Sequence, residues 1–171
     1  METTLNKFQH TIEELTEMLE TFNTKQFNTI PFPNSWTAGQ VGDHLLKSYG
    51  SWKIFKGATV FADRPYNENC KALNELFLDF KTKLSAEPSD FIYPSDGYIG
   101  KEDLILNIRA ICDDIINFSC RHDLRMLCLD FEFPTLGYMT RFEWLHFYVV
   151  HTQRHINQLA KILNILNGID E

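Results

Sequence analysis

His151 and His155 stand four residues apart in the run His151-Thr-Gln-Arg-His155. On an α-helix that spacing puts two imidazoles on one face, one turn apart, where they can share an ion. The stripe that would carry them is Trp144, Tyr148, His151, His155, Leu159 and Ile162, with Gln158 beside it. Its remainder is apolar, so the pair is expected to point into a core. His44 has a similar setting on another segment, in the stripe Val41, His44, Ser48, Trp52 and Phe55. Two such stripes facing each other would bring three neutral nitrogen ligands together. Three histidines with an open fourth position suit a divalent ion such as zinc, nickel or iron, the fourth place taking water or substrate.

A helical His pair alone is common, and a single His on an apolar face is more often a hydrogen-bonded core residue. The combination favours an ion. Burying unsatisfied imidazoles costs about 1–3 kcal/mol per group, and a shared ion removes that cost. Other chemistries fit less well. Thr152 stands where a zinc protease helix needs its glutamate base. Glu143-x-x-His146 is half of a di-iron carboxylate motif, whose second half is missing, and Glu143 is better read as a helix cap. His146 falls about 140° around the helix from His151, at about 100° per residue, and is expected at the periphery. His10, His122 and Asp113-Asp114 read as surface residues, and no phosphate loop or nucleophile elbow is present. No general base is identifiable, so the catalytic residues stay unassigned.

The elements that must position these groups announce themselves through their caps. Thr37-Ala-Gly-Gln40 and Thr140-Arg-Phe-Glu143 are capping boxes, flanked by Trp36 with Val41 and by Met139 with Trp144 as hydrophobic staples. They predict helices from about Thr37 to Phe61 and from about Thr140 to Leu166, the latter stopped by Asn167-Gly168. Leu5, Phe8, Ile12, Leu15, Met18 and Leu19 predict a helix from about Thr4 to Phe22. Leu104, Ile108, Ile111, Ile115 and Phe118 predict another from about Glu102 to Leu124. The expected fold is all-α, a four-helix bundle with a long crossover between its second and third helices. That crossover, Asp63 to Gly100, carries a short extra helix at about Lys71 to Leu84. Residues 125–139 read as an irregular link, and Phe131-Glu-Phe133 alternates over too short a run to build a sheet.

The 171 residues fit one domain spanning 1–171, with 44% hydrophobic residues and 14 Phe to fill a core. A net charge of −7, with 16 scattered Lys and Arg, supplies no basic stripe and argues against nucleic acid. Met1 to Glu20 lacks an apolar signal region, and no uncharged run approaches the roughly 18–20 residues of a membrane helix. Cys70, Cys112, Cys120 and Cys128 form no C-x-x-C pair and read as small buried thiols in a reducing, cytoplasmic compartment.

Trp36-Thr-Ala-Gly-Gln-Val-Gly-Asp-His44-Leu-Leu resembles the second helix start of the DinB-like superfamily of metal-dependent four-helix bundles. Gly137-Tyr-Met-Thr140, leading to His151-Thr-Gln-Arg-His155-Ile-Asn-Gln158, resembles the last helix of that group. Phe80-Lys-Thr-Lys-Leu and Asp90-Phe-Ile-Tyr-Pro94 resemble a crossover of one of its branches. The resemblance implies one divalent ion on His44, His151 and His155, the set already reached from facing. It also implies a thiol-dependent transferase that joins a low-molecular-weight thiol to a small electrophilic substrate, in a protein that pairs as a homodimer. Many members carry His-Arg-Gly-Gln where this chain has His155-Ile-Asn-Gln158, so an Arg–Gly role in thiol binding does not carry over. On this reading Trp52, Tyr148 and Trp144 are candidate pocket walls, and Gln158 and Gln40 candidate orienting groups. The alternative is a stress-response module that holds a metal or small ligand without turnover.

Overall fold

The computed structural model describes residues 2–82 and 92–169. Among them the chain is mostly helical, with six α-helices, one 3₁₀ segment and a small antiparallel sheet. Helix α1 (Glu2–Thr21) buries Phe8, Ile12, Leu15 and Leu19, with Leu5 and Met18 partly covered, as their spacing predicts. A one-turn helix α2 (Thr24–Phe27) follows, capped by an Asn23–Gln26 box that sequence reading passed over.

Helix α3 (Ala38–Tyr49) starts at the predicted box, with Gln40 N donating to Thr37 Oγ1 and Thr37 N to Gln40 Oε1, both at 3.1 Å. The long helix expected to reach Phe61 does not form. At Gly50 the chain tightens into a 3₁₀ segment (Gly50–Lys56) and then becomes strand β1 (Thr59–Phe61). Gly50 is a poor helix residue. The Ser51 hydroxyl takes the Ser48 carbonyl at 2.7 Å, and Arg141 takes the Phe55 carbonyl through Nε and Nη2 at 3.0 and 2.6 Å. These bonds satisfy carbonyls that a continuing α-helix would have used. The stripe survives the change, since Val41, His44, Ser48, Trp52 and Phe55 are all buried.

The short helix of the crossover, α4, spans Cys70–Phe77 and does not continue toward the expected end at Leu84: residues 78–82 are bends and turns, and Leu84 and Asp90-Phe91 lie outside the described residues. Helix α5 (Lys101–Ser119) buries Leu104, Ile108 and Ile115 and ends short of Leu124. Gly42 on α3 lets α5 close in: a Cβ there would lie 2.7 Å from Leu104 Cδ2.

Residues 125–139 are not an irregular link. They hold β2 (Met126–Phe133) and β3 (Gly137–Thr140), and with β1 make an antiparallel sheet in the order β1-β2-β3. Thr59, Val60 and Phe61 pair with Cys128, Leu127 and Met126. Glu132 pairs with Tyr138 and Phe133 with Gly137, across a turn where Thr135 and Gly137 take φ of 69° and 71°. A register shift separates these pairs from Leu127 and Thr140, so the alternation along β2 is interrupted and the strand signal is weak.

Strand β3 runs straight into helix α6 (Arg141–Leu166), whose Thr140–Glu143 box forms as predicted. Gly168 takes φ of 69° beyond the helix end. Helix α6 packs on α1, α3 and α4, while α5 packs on α1 and α3. The shared core includes Phe8, Leu15, Leu45, Ile108, Leu145 and Leu159. Cys112 and Cys128 are buried, Cys70 is half-buried and Cys120 is exposed, which departs from four buried thiols, and all four are free. No helix among the described residues is long and apolar enough to cross a membrane.

Candidate metal centre

Two caps set the phase of the site. Thr37 fixes where α3 begins and Thr140 where α6 begins, so His44 on one and His151 and His155 on the other turn inward together. The three rings meet with centroids 5.1, 4.8 and 4.6 Å apart, and all three residues are buried. The Nε2 atom of His151 lies 3.1 Å from Nε2 of His44 and 3.1 Å from Nε2 of His155. In a tetrahedral site with Zn–N bonds of about 2.0–2.1 Å, ligand nitrogens lie about 3.3–3.4 Å apart. The nitrogens stand close to the separation that a shared ion requires.

The remaining ring nitrogens face outward to partners of their own. His44 Nδ1 donates to the Ile92 carbonyl at 2.6 Å, and His155 Nδ1 to Gln158 Oε1 at 2.8 Å. Each of these bonds fixes the proton on Nδ1 and leaves the Nε2 lone pair turned to the centre. Ser48 Oγ lies 3.4 Å from His151 Nδ1. Burial lowers the pKa of all three rings: His44 is below its ordinary value, His151 well below, and His155 is pushed down to about 3. Mutual repulsion of the imidazolium forms deepens the effect at His151 and His155. Neutral imidazole is the form that ligates. The donor set therefore fits one divalent ion in nitrogen type, count, spacing and protonation.

Around the rings stand groups from four elements. Phe147 stacks on His151 at 5.0 Å with planes 14° apart, and Phe77 of α4 meets the same ring edge-on at 5.5 Å. Trp36 lies against His44 at 5.1 Å and edge-on to Tyr93 at 5.8 Å. Phe133 of the sheet packs on Phe147 at 5.2 Å, so β2 backs the ring that backs His151. Arg154, between the two α6 ligands, donates to the carbonyls of Phe77, Asp79 and Thr82 and ties the end of α4 to α6. Lys47 and Asp43 hold the other flank of the crossover, through Tyr93 O at 2.7 Å and Ser95 N at 2.6 Å.

Of the residues singled out from sequence, His44, His151, His155 and Gln158 come together here. Trp52 and Tyr148 do not. Trp52 packs on Phe118 and under Lys56, while the Tyr148 hydroxyl bonds Ser51 Oγ at 2.8 Å within a stack of Phe8, Tyr49 and Phe55. Trp144 packs on Phe131 and Phe133. Gln40 completes its cap and reaches Ser95 O at 3.4 Å. His146 bonds Asn74 Oδ1 at 2.8 Å, away from the cluster, and His10, His122, Asp113 and Asp114 are exposed. Sequence reasoning missed Ser48, although it shares the stripe of His44. It also missed Phe77 and Phe147, and the Ile92 carbonyl, which as a backbone group leaves no side-chain signal.

Among the described residues, His44, His151 and His155 form a buried cluster able to hold a metal ion. Comparison with curated proteins and with solved structures returned no match. The family model of the DinB superfamily matches residues 7–159, nearly the whole chain, and the protein belongs to that superfamily.

Proposed function

We propose that this protein is a four-helix-bundle transferase of one domain, α1, α3, α5 and α6 forming the bundle. It would hold one divalent ion on His44, His151 and His155 and join a small thiol to an electrophilic compound there. The observation that carries the reading is the convergence of three Nε2 atoms, two of them with their Nδ1 protons committed to outward acceptors. A bound ion supplies Lewis acidity, lowering the pKa of a thiol that reaches it so that the thiolate meets the electrophile at neutral pH. The chain's own residues do the rest. Ile92 and Gln158 hold two rings in the ligating tautomer. Trp36, Phe77 and Phe147 surround the rings with apolar surface, which keeps the local dielectric low and strengthens electrostatic interactions at the centre.

The test is turnover of small thiols, bacillithiol and glutathione among them, with model electrophiles on zinc- or nickel-loaded protein. Activity that disappears in His151→Ala, with helicity retained, is the expected result. Turnover undiminished in that variant removes the site from the reaction. A second reading, a module that holds metal without turnover, is favoured by burial: the three histidines are only 4, 7 and 8% exposed. Stoichiometric metal with no transfer to any electrophile would select it.

A further inference from the structure

The outward nitrogens of the three rings meet chemically different partners, and that difference assigns their protons. A main-chain carbonyl only accepts, so His44 carries its proton on Nδ1, facing Ile92 O at 2.6 Å. The Gln158 amide oxygen also only accepts, so His155 carries its proton on Nδ1 at 2.8 Å. Both present a bare Nε2 to the centre. His151 is different. Its Nε2 stands 3.1 Å from each of those two acceptors, and its Nδ1 faces the Ser48 hydroxyl, a group that can donate or accept. Three bare nitrogens at this distance repel one another unless something positive lies between them.

We propose that Ser48 is a positioning residue that lets His151 exchange one tautomer for the other. Without an ion, His151 holds its proton on Nε2, shared with the lone pair of His44 or His155, and the Ser48 hydroxyl donates to Nδ1. With an ion on the three Nε2 atoms, the proton resides on Nδ1 and Ser48 Oγ accepts it. The inference rests on the metal-holding reading above. As the ion enters with solvent, Nε2 releases one proton to water and Nδ1 takes one from water, so the ring stays neutral and no net proton is released. Rotation of one hydroxyl serves both states, which neither the Ile92 carbonyl nor the Gln158 amide oxygen can do. Ser48 is 4% exposed, so bulk water is poorly placed to substitute for it. Its 3.4 Å distance from Nδ1 is long for a hydrogen bond, which sets the expected effect at the weak end of the range for partners of metal ligands.

The experiment is a zinc titration of chelator-treated protein followed by long-range proton–nitrogen correlation spectra of the histidine rings. Chelator competition gives the zinc affinity of wild type and Ser48→Ala. Expected is His151 protonated on Nε2 before zinc and on Nδ1 after it, with His44 and His155 protonated on Nδ1 throughout. Ser48→Ala is expected to bind zinc about tenfold more weakly. A His151 already protonated on Nδ1 in the metal-free protein, or unchanged affinity in Ser48→Ala, overturns this proposal and leaves the metal site standing. A wild type that takes up no zinc overturns both.

Discussion

Helix α6 carries two buried polar clusters, one at its first turn and one in its middle, and they are built on opposite principles. At the first turn Glu143 is fully buried and every bond it needs is made within the chain. Arg64 grips both carboxylate oxygens at 2.7 and 2.8 Å, and the backbone N–H groups of Asn69 and Thr140 donate at 2.8 and 2.9 Å. Arg64 in turn gives one further Nη1 and one further Nη2 donor to the carbonyls of Pro65 and Tyr138. In the middle of the helix the Nε2 atoms of three imidazoles turn toward one point. A closed cluster fastens the 64–69 segment to α6. The three-histidine cluster is one that could hold a metal ion.

The largest expected effect comes from breaking the closed cluster. Arg64→Ala leaves the Glu143 carboxylate buried without its counter-ion, and removing one partner of such a pair costs about 3–5 kcal/mol. Urea denaturation should show that loss while metal per folded chain stays at the wild-type level. Equal losses of stability and metal would mean that the two clusters are one unit.

Acid sharpens the comparison from the other side. The histidines of the centre have folded-state pKa values below the unfolded value of about 6.5, with His155 at about 3. As pH falls below about 6.5 the unfolded chain takes up protons that the folded centre refuses. The metal-free protein should therefore lose stability between about pH 6.5 and pH 3, each such histidine contributing up to about 1.4 kcal/mol per pH unit. In His155→Ala this acid limb should be shallower. Limbs of equal slope in urea titrations of the two proteins would contradict the assigned burial. The smallest effect belongs to the cap that sets the phase of His44: Thr37→Ala should cost about 1 kcal/mol and weaken metal binding only slightly.

How much of this was legible in the sequence follows the range of each interaction. Both capping boxes act over three residues and form as their spacing predicts, and with them come the inward faces of α3 and α6 and the convergence of the three histidines. Gln158 was legible for the same reason, standing three residues from His155. The sheet was not, because Thr59–Phe61 finds its partners in Met126–Cys128 and no local pattern announces that pairing. The same pairing and the Arg141 grip on Phe55 O end the helix that periodicity extended to Phe61. Glu143 looked like a cap, and it is one, but its counter-ion stands 79 positions away and was invisible. Trp52 and Tyr148, the candidate pocket walls, share stripes with the histidines. A stripe says which face is buried, not which part of the core it meets, and these rings pack one or two turns from the centre, on Phe118 and Phe55.

The measurement that bears most directly on the centre is elemental analysis of untagged protein beside His44→Ala and His151→Ala, with Arg64→Ala as the control for the closed cluster. Close to one divalent ion per chain is expected in wild type and in folded Arg64→Ala, and almost none in either histidine variant. A wild type that stays free of metal after reconstitution with zinc and with nickel would contradict that expectation, leaving the three histidines as a polar core that satisfies itself.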